Sequence, residues 1–265
     1  MEQITSLKNN RVKEWASLKQ KKFRDRTGQY LAEGVRLVEE ALYANVPMDA
    51  ILLSGDLQSG KFDRIVTRAA GNGVTVYEVT DPIIEHIADT QTPQGVIAVL
   101  KKTEGDVDAF VANKEQPLYL VLDGIQDPGN MGTVIRTADA VGATGILIGK
   151  NCVDVYNPKV VRATMGSLFH LPVFEVELDA FLPRLKEQGV AVVGTSVDAD
   201  ETVYEANFTG SVAMVIGSEA HGLSEEVAAL VDKAVTLPMP GQAESLNAAI
   251  AASVMLYEAL RQRSY

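Results

Sequence analysis

Short runs of consecutive apolar residues recur along the second half of the chain, and segments of helical spacing separate most of them. Strands covered on both faces have this composition in parallel sheets. The pattern therefore predicts an α/β fold with a mostly parallel C-terminal sheet. Its strands are expected at Leu118–Leu122, Gly145–Ile148, Pro172–Val176, Val190–Gly194, Val212–Ile216 and Ala234–Leu237, and its helices at Met131–Val141, Asp179–Gln188, Glu225–Val231 and Ser245–Arg263.

The first part of the chain predicts a smaller α/β unit, because helical and strand patterns alternate there too. A polar stretch follows it. We therefore expect one domain at residues 1–105, a linker at 106–116 and a second domain at 117–265. The helices of the first domain are expected at Leu7–Lys21, Arg36–Ala44, Phe62–Gly71 and Pro82–Asp89, and its strands at Ile51–Ser54, Val74–Val79 and Val96–Lys101.

The chain has 265 residues and a formal net charge of −11, which by itself argues against binding a polyanion. One segment near the N-terminus opposes this average, since only Glu14 and Asp25 stand among its basic residues. Two interpretations are open: a solvated helix face, or an arm that contacts phosphates. The basic residues are Lys8, Arg11, Lys13, Lys19, Lys21, Lys22, Arg24 and Arg26.

Cys152 is the only cysteine, so no disulfide can form within the chain. The residues after Met1 lack the pattern of a signal peptide, and the apolar runs are too short to cross a bilayer. These features predict a cytoplasmic protein with no membrane partner. One cysteine and three scattered histidines also argue against a zinc site, and no metal is expected.

Glycine and polar residues follow three of the predicted strands, at the edge where parallel sheets bind ligands. After the first of these strands, Asn130 suits the N-cap of the next helix. Arg136 lies further along that helix. Because the pattern predicts a largely buried helix, the guanidinium should need a phosphate or carboxylate partner.

The other two segments carry Glu219 between two glycines, and Ser245 followed by Asn247 before the last helix. Glu219 is either ordinary loop polarity or part of a site. Ser245 suits an N-cap, and Asn247 falls in the first turn, near free backbone N–H groups. Prolines beside Met239 force an irregular backbone whose exposed amides and carbonyls suit an adenine ring.

Common motifs for other chemistries are missing. No G-x-G-x-x-G follows a strand, no Lys-Ser or Lys-Thr completes a phosphate loop after Gly129, and no G-x-S-x-G is present. Dinucleotide, P-loop and esterase sites are therefore unsupported.

Together the three segments resemble the signature motifs of the SpoU/TrmH family of RNA 2′-O-ribose methyltransferases. The first fits N-x-G-x-x-x-R-x-A, the second G-x-E-x-x-G, and the third P-M-x-G followed by S-L-N. The matching residues are Asn130, Gly132, Arg136, Ala138, Gly217, Glu219, Gly222, Pro238, Met239, Gly241, Ser245, Leu246 and Asn247. The segments Arg11–Trp15 and Leu31–Glu40 resemble the family's substrate-binding domain, which is similar to RNA-binding ribosomal proteins.

The resemblance implies a SPOUT-type deep trefoil knot in the C-terminal domain, S-adenosylmethionine as cofactor and a homodimer formed through that domain. The implied catalytic residues are Arg136, Asn130, Glu219, Ser245 and Asn247. The implied cofactor-binding residues are Thr195, Ile216, Gly217, Leu237, Met239, Gly241, Ser245 and Leu246. Because a guanidinium stays protonated in proteins, Arg136 is expected to bind a phosphate and Glu219 to orient Arg136 or relay a proton.

The expected function is methylation of a ribose 2′-hydroxyl in structured RNA, with ribosomal RNA favoured over transfer RNA by the separate N-terminal domain. Two other classes stay open: a non-enzymatic RNA-binding or ribosome-assembly protein with the same fold, and a small-molecule enzyme of the doubly wound class.

The segment Arg162–Ser167 has Thr164 and Ser167 where many relatives carry Ser and Ala. We expect its turn to persist.

Overall fold

The computed structural model describes residues 2–55, 60–103, 105–112 and 114–264. Residue contacts divide the chain into two compact units. Unit 1 comprises Met1–Glu104 and Asp154–His170, and unit 2 comprises Gly105–Val153 and Leu171–Tyr265.

In chain order, the described strands are β1 Glu2–Ile4, β2 Gln29–Glu33, β3 Met48–Leu53, β4 Val76–Val79, β5 Val96–Lys101, β6 Leu118–Leu122, β7 Gly145–Ile148, β8 Val173–Glu175, β9 Ala191–Thr195, β10 Val212–Ile216 and β11 Lys233–Val235. The described α-helices are α1 Asn10–Ser17, α2 Lys21–Thr27, α3 Val35–Tyr43, α4 Asp63–Gly71, α5 Asp81–Ile87, α6 Val107–Val111, α7 Pro128–Ala140, α8 Pro158–Ala163, α9 Leu178–Glu187, α10 Glu225–Ala228 and α11 Ala248–Ser264. A short 3-10 helix spans Ser167–Phe169.

The described strands of unit 1 form a mixed sheet in the order β1-β4-β3-β5-β2. β1, β4 and β3 are parallel, and β5 is antiparallel to its two neighbours. Successive side chains of a strand point to opposite faces of the sheet. Leu52 of β3 accordingly packs in a cluster with Trp15 and Ile84, whereas Leu53 packs in another with Leu42. The sheet of unit 1 thus carries a hydrophobic core on each face.

The predicted helix Leu7–Lys21 is two helices in the structure. α1 ends at Ser17, and Gln20 has an extended backbone with ψ of 133° before α2 begins. The apolar pattern also does not predict β1 and β2, whose short sequences mix polar and apolar residues. These strands form by pairing with the more apolar β4 and β5.

The segment Asp154–His170 belongs to unit 1, although the sequence places it in the predicted 117–265 domain. It carries α8, which the apolar pattern does not predict and which Asn157 caps by accepting a hydrogen bond from the Lys159 N–H. Val161 of α8 is fully buried in the cluster that contains Leu53. The segment therefore contributes part of the core of unit 1.

Arg24 also joins this segment to unit 1, and its inclusion in the basic arm is corrected by the structure. The residue is only 2% exposed. Its Nε donates to Asp154 Oδ2 at 2.9 Å and its Nη2 contacts the same oxygen, while Nη1 donates to the carbonyls of Leu18 and Lys19. Because its donors are taken by this buried network, Arg24 is not available to bind a phosphate.

The described strands of unit 2 form a sheet in the order β11-β9-β10-β6-β7-β8, and every neighbouring pair is parallel. This confirms the predicted α/β fold with a parallel C-terminal sheet. Every residue of β6 and β10 is buried, as their continuous apolar runs predict. In the described parts of the chain, no helix combines the length and apolar character needed to cross a membrane.

Candidate active site

A cavity of about 840 Å³ lies at the carboxyl-terminal edge of the unit 2 sheet. Its walls come from the ends of β9, β10 and β11 and from the loops that follow them. Carboxyl ends of parallel strands meet at one edge of a sheet, where open α/β folds bind ligands. The cavity brings together Thr195, Ile216, Gly217, Leu237, Met239, Ser245 and Leu246 of the predicted cofactor-binding set.

Gly241 is the member of that set that does not line the cavity. It is exposed in the loop between β11 and α11, and a Cβ atom there would meet no other atom within 4 Å. Its position therefore shows no close approach that would require glycine.

The loop after β10 is a tight turn that places Glu219 at the cavity wall. Ser218 and Gly222 exchange two backbone hydrogen bonds of 2.9 Å across it. A Cβ atom on Gly217 would lie 2.2 Å from the Gly222 carbonyl carbon, and Gly222 has a left-handed φ of 66°. Gly217 is thus required because a side chain would collide with the backbone, and Gly222 is favoured because its φ is positive.

Asp123, at the end of β6, holds the far end of the same loop. It is 8% exposed, and its Oδ2 accepts a 2.7 Å hydrogen bond from the Ser224 N–H. Sequence reasoning missed this residue. Its position directly after a buried strand was the signal that could have identified it as a residue of the site.

Asn130 does not cap its helix, because α7 begins at Pro128 and Asp127 is the N-cap. Asp127 Oδ1 accepts a 2.8 Å hydrogen bond from the Asn130 N–H. An acidic residue before proline is itself a helix-start signal, which the sequence reasoning overlooked. The Asn130 side chain is therefore free to make other contacts.

The Asn130 amide joins two other predicted catalytic residues. Its Nδ2 donates to Glu219 Oε1, and its Oδ1 accepts from Asn247 Nδ2 at 3.0 Å. The three side chains come from the loops or helices of three different motifs. The structure thus connects Glu219, Asn130 and Asn247 in one hydrogen-bonded chain, which we call the polar triad.

Asn247, rather than Ser245, caps the last helix. α11 begins at Ala248, and Asn247 Oδ1 accepts from the N–H groups of Ala249 and Ile250 at 2.9 and 3.3 Å. The opposite end of the same amide binds Asn130. Ser245 is left to line the cavity.

Arg136 lies outside the polar triad. The predicted burial of this arginine is wrong: Val134, Ile135 and Ala138 of α7 are buried, but Arg136 is exposed on another face. It follows Asn130 by six residues, which places it about 9 Å further along the helix and about 120° around it. Among the described residues it has no hydrogen-bond or ion-pair partner.

The remaining members of the predicted RNA-binding arm are exposed on unit 1. Arg11 contacts the Tyr77 hydroxyl and lies 3.5 Å from Glu2, and Lys19 donates to the carbonyl of His86 at 2.8 Å. The others have no ion-pair partner among the described residues; they are Lys8, Lys13, Lys21, Lys22 and Arg26. The arm is therefore a solvent-facing basic surface.

Comparison with known families identifies the family to which the chain belongs. Residues 117–257 match the SpoU rRNA Methylase family, and residues 9–98 match the MRM3-like substrate binding domain. The chain belongs to the SpoU rRNA methylase family. The parallel sheet, the cavity and the polar triad described above all lie within the part that matches this methylase family.

Relatives of this SpoU methylase align along nearly its whole length. RlmP, a 23S rRNA (guanosine(2553)-2′-O)-methyltransferase of Bacillus subtilis, is 35% identical over 257 residues, which are 97% of this chain and 98% of the relative. A 23S rRNA (uridine(2479)-2′-O)-methyltransferase of Streptomyces viridochromogenes is 36% identical, over 98% of this chain and 92% of the relative. The crystal structure of an AdoMet-bound rRNA methyltransferase from Sinorhizobium meliloti superposes with a TM-score of 0.88 at 33% identity, covering 98% of this chain and 97% of that one.

Proposed function

We propose that this protein transfers a methyl group from S-adenosylmethionine to a ribose 2′-hydroxyl of ribosomal RNA. The observation that carries the proposal is the polar triad, whose Glu219 reaches the wall of the cavity. Family membership supports the reaction, and the names of both relatives support a 2′-hydroxyl of 23S rRNA as the acceptor rather than transfer RNA.

The cavity fits the cofactor in size and in the nature of its walls. Its volume of about 840 Å³ falls in the range of roughly 300–1,000 Å³ that small-molecule sites occupy. Apolar side chains of Ile216, Leu237 and Leu246 line it beside exposed loop backbone. When bound, the cofactor supplies an electrophilic methyl group, whose bond to sulfur breaks as its bond to the ribose oxygen forms.

The residues of the chain must orient a weakly acidic hydroxyl and remove its proton. Asn130 and Asn247 hold each other and Glu219 in place, which fixes the direction of the carboxylate. We assign Glu219 to relay the proton that leaves the 2′-hydroxyl, and Ser245 to position the acceptor at the cavity. Arg136 binds an RNA phosphate and stabilises the developing negative charge.

A homodimer explains the position of Arg136. Within one chain Arg136 is exposed and lies about 120° around α7 from Asn130, so we infer that it completes the site of a second copy. An apolar stripe on α11 supports this assembly, since Ile250 and Tyr257 are 51% and 54% exposed and lie on one helical face.

We also propose that the C-terminal domain forms the deep trefoil knot of SPOUT enzymes and that the protein works in the cytoplasm.

The basic arm supports RNA binding by the N-terminal domain, now without Arg24. Its exposed lysines and arginines suit phosphate contacts.

The proposal is tested by comparing ribosomal RNA from cells with and without this gene. A 2′-O-methyl group that disappears with the gene, and is restored on that RNA by purified protein and S-adenosylmethionine, is the expected result. RNA binding without calorimetric binding of S-adenosylmethionine would instead establish the non-enzymatic assembly protein.

A further inference from the structure

The wall of the cavity carries an excess of negative charge. Two of its charged residues are neutralised by partners outside the wall: Asp232 lies 2.6 Å from Lys186, and Lys233 lies 2.5 Å from Glu201. Each pair has no net charge, so the two pairs do not change the net charge of the cavity wall.

Three further carboxylates line the cavity without such compensation: Asp198, Glu219 and Glu244. Among the residues that the structure describes, none of them has a basic ion-pair partner. The hydrogen bond from Asn130 to Glu219 comes from a neutral amide and leaves the negative charge in place. The cavity therefore presents three negative charges to whatever binds there.

The two forms of the proposed cofactor differ in one charge. The sulfonium of S-adenosylmethionine is permanently positive, whereas the thioether of S-adenosylhomocysteine, which remains after methyl transfer, is neutral. Their other charged groups are the same. A negative cavity wall must therefore attract the methyl donor more strongly than the demethylated product.

We propose that Asp198 and Glu244, together with Glu219, make this cavity selective for the positively charged sulfonium and thereby favour release of the neutral product. Asp198 and Glu244 are specificity-determining residues that act through their charge. This inference rests on the proposed methyltransferase function, and goes beyond it by assigning a role to two residues outside the three motif matches.

The size of the effect follows from Coulomb attraction through solvent. At about 8 Å in a water-like medium, one carboxylate changes the affinity for a unit positive charge by about twofold. Three such groups give a preference of roughly tenfold at low ionic strength, and added salt should reduce it because the carboxylates are exposed.

Calorimetry on the full-length protein with three ligands tests the proposal. S-adenosylmethionine and sinefungin, in which a carbon that bears an amine replaces the methylated sulfur, carry a positive charge at this position, whereas S-adenosylhomocysteine lacks it. We expect the two charged ligands to bind roughly tenfold more tightly than S-adenosylhomocysteine at low salt, and about twofold more tightly in 0.5 M salt.

Matched variants separate charge from contact. Asp198→Asn and Glu244→Gln remove one charge each at the cavity wall, and each should weaken S-adenosylmethionine about twofold while leaving S-adenosylhomocysteine unchanged. Asp200→Asn and Glu226→Gln remove the same charge from exposed residues that do not line the cavity. These control variants should leave the preference close to that of the unaltered protein.

Three outcomes overturn the proposal. Equal affinities for all three ligands in the unaltered protein would refute charge selectivity and leave the methyltransferase function standing. Equal weakening of charged and neutral ligands by the cavity variants would show a contact role instead. Failure of all three ligands to bind would overturn both this inference and the proposed function.

Discussion

The two units of this protein differ sharply in charge although they differ little in kind of fold. Unit 1 has 16 lysines and arginines against 15 aspartates and glutamates, whereas unit 2 has 8 against 20. The net charges are +1 and −12, and together they give the −11 of the chain. Long-range attraction of an RNA polyanion is therefore expected from the basic arm of unit 1, and the acidic unit 2 suits a small cationic ligand.

The comparison also shows what an average conceals. The net charge of the whole chain argues against nucleic acid, because the acidic residues of unit 2 outweigh the basic arm. Once the charge is assigned unit by unit, the acidic excess lies in the unit that contains the cavity, and the basic arm lies in the other unit.

The largest effect is expected from Arg24→Ala, which tests whether Arg24 belongs to the core of unit 1 or to its RNA-binding surface. Removing the guanidinium leaves the Asp154 carboxylate buried without its partner. The free energy of unfolding should fall by about 3–5 kcal/mol in chemical denaturation. Arg26→Ala is the matched control, since Arg26 is exposed and should change stability by less than about 0.5 kcal/mol. Similar stability of both variants would contradict the structural role of Arg24.

Arg136→Ala should lower the rate of methyl transfer about 10²–10³-fold, because it removes a charge proposed to stabilise the transition state. The calorimetric affinity for S-adenosylmethionine should stay within about twofold, since Arg136 does not line the cavity. Arg136→Lys keeps the charge and tests whether a guanidinium is needed. Near-normal rates in both variants would remove Arg136 from the chemistry.

The double variant Lys13→Glu/Lys22→Glu tests the basic arm. Its affinity for the RNA substrate should fall about tenfold in filter binding, with a weaker dependence on salt, while the affinity for S-adenosylmethionine should not change. Lys114→Glu/Lys150→Glu makes the same change of net charge in unit 2. Equal losses in the two double variants would show that total charge, rather than the arm, governs RNA binding.

The smallest effect concerns pH. The hydrogen bond from Arg261 lowers the pKa of Glu258 below its ordinary value of 4.5. A carboxyl whose pKa is lower in the folded than in the unfolded protein stabilises the fold at pH values above the ordinary pKa. This contribution is lost as the pH falls through the pKa of the folded state. Glu258→Gln should therefore reduce stability by about 0.5 kcal/mol at pH 7, and the difference should shrink as the pH falls below 4.5. A pH-independent difference in thermal unfolding would contradict this.

The sequence predicts those elements whose signal is local. β6 and β10 have the expected bounds because five consecutive apolar residues are typical of a strand that is covered on both faces of a parallel sheet. The division between α1 and α2 depends on the backbone of Gln20, and the exposure of Arg136 depends on which helix face is covered. Neither can be read from apolar spacing alone.

The sequence predicts which residues belong to the candidate site, but it does not predict which of them are hydrogen-bonded to each other. The resemblance names many of the residues that line the cavity, yet the hydrogen bonds of the polar triad join residues 89 and 117 positions apart. The same holds for Arg24 and Asp154, 130 positions apart. Contacts of this range depend on the complete fold, so single segments contain no signal for them.

The return of Asp154–His170 to unit 1 has a consequence for how this gene can be divided. A fragment that stops before Gly105 would lack Val161, a fully buried part of the core of unit 1. The complementary fragment would carry α8 with its apolar side uncovered. The two units are therefore interleaved along the chain rather than arranged in series. Exchange of either unit between relatives requires cuts at three places, and a single truncation yields no complete module.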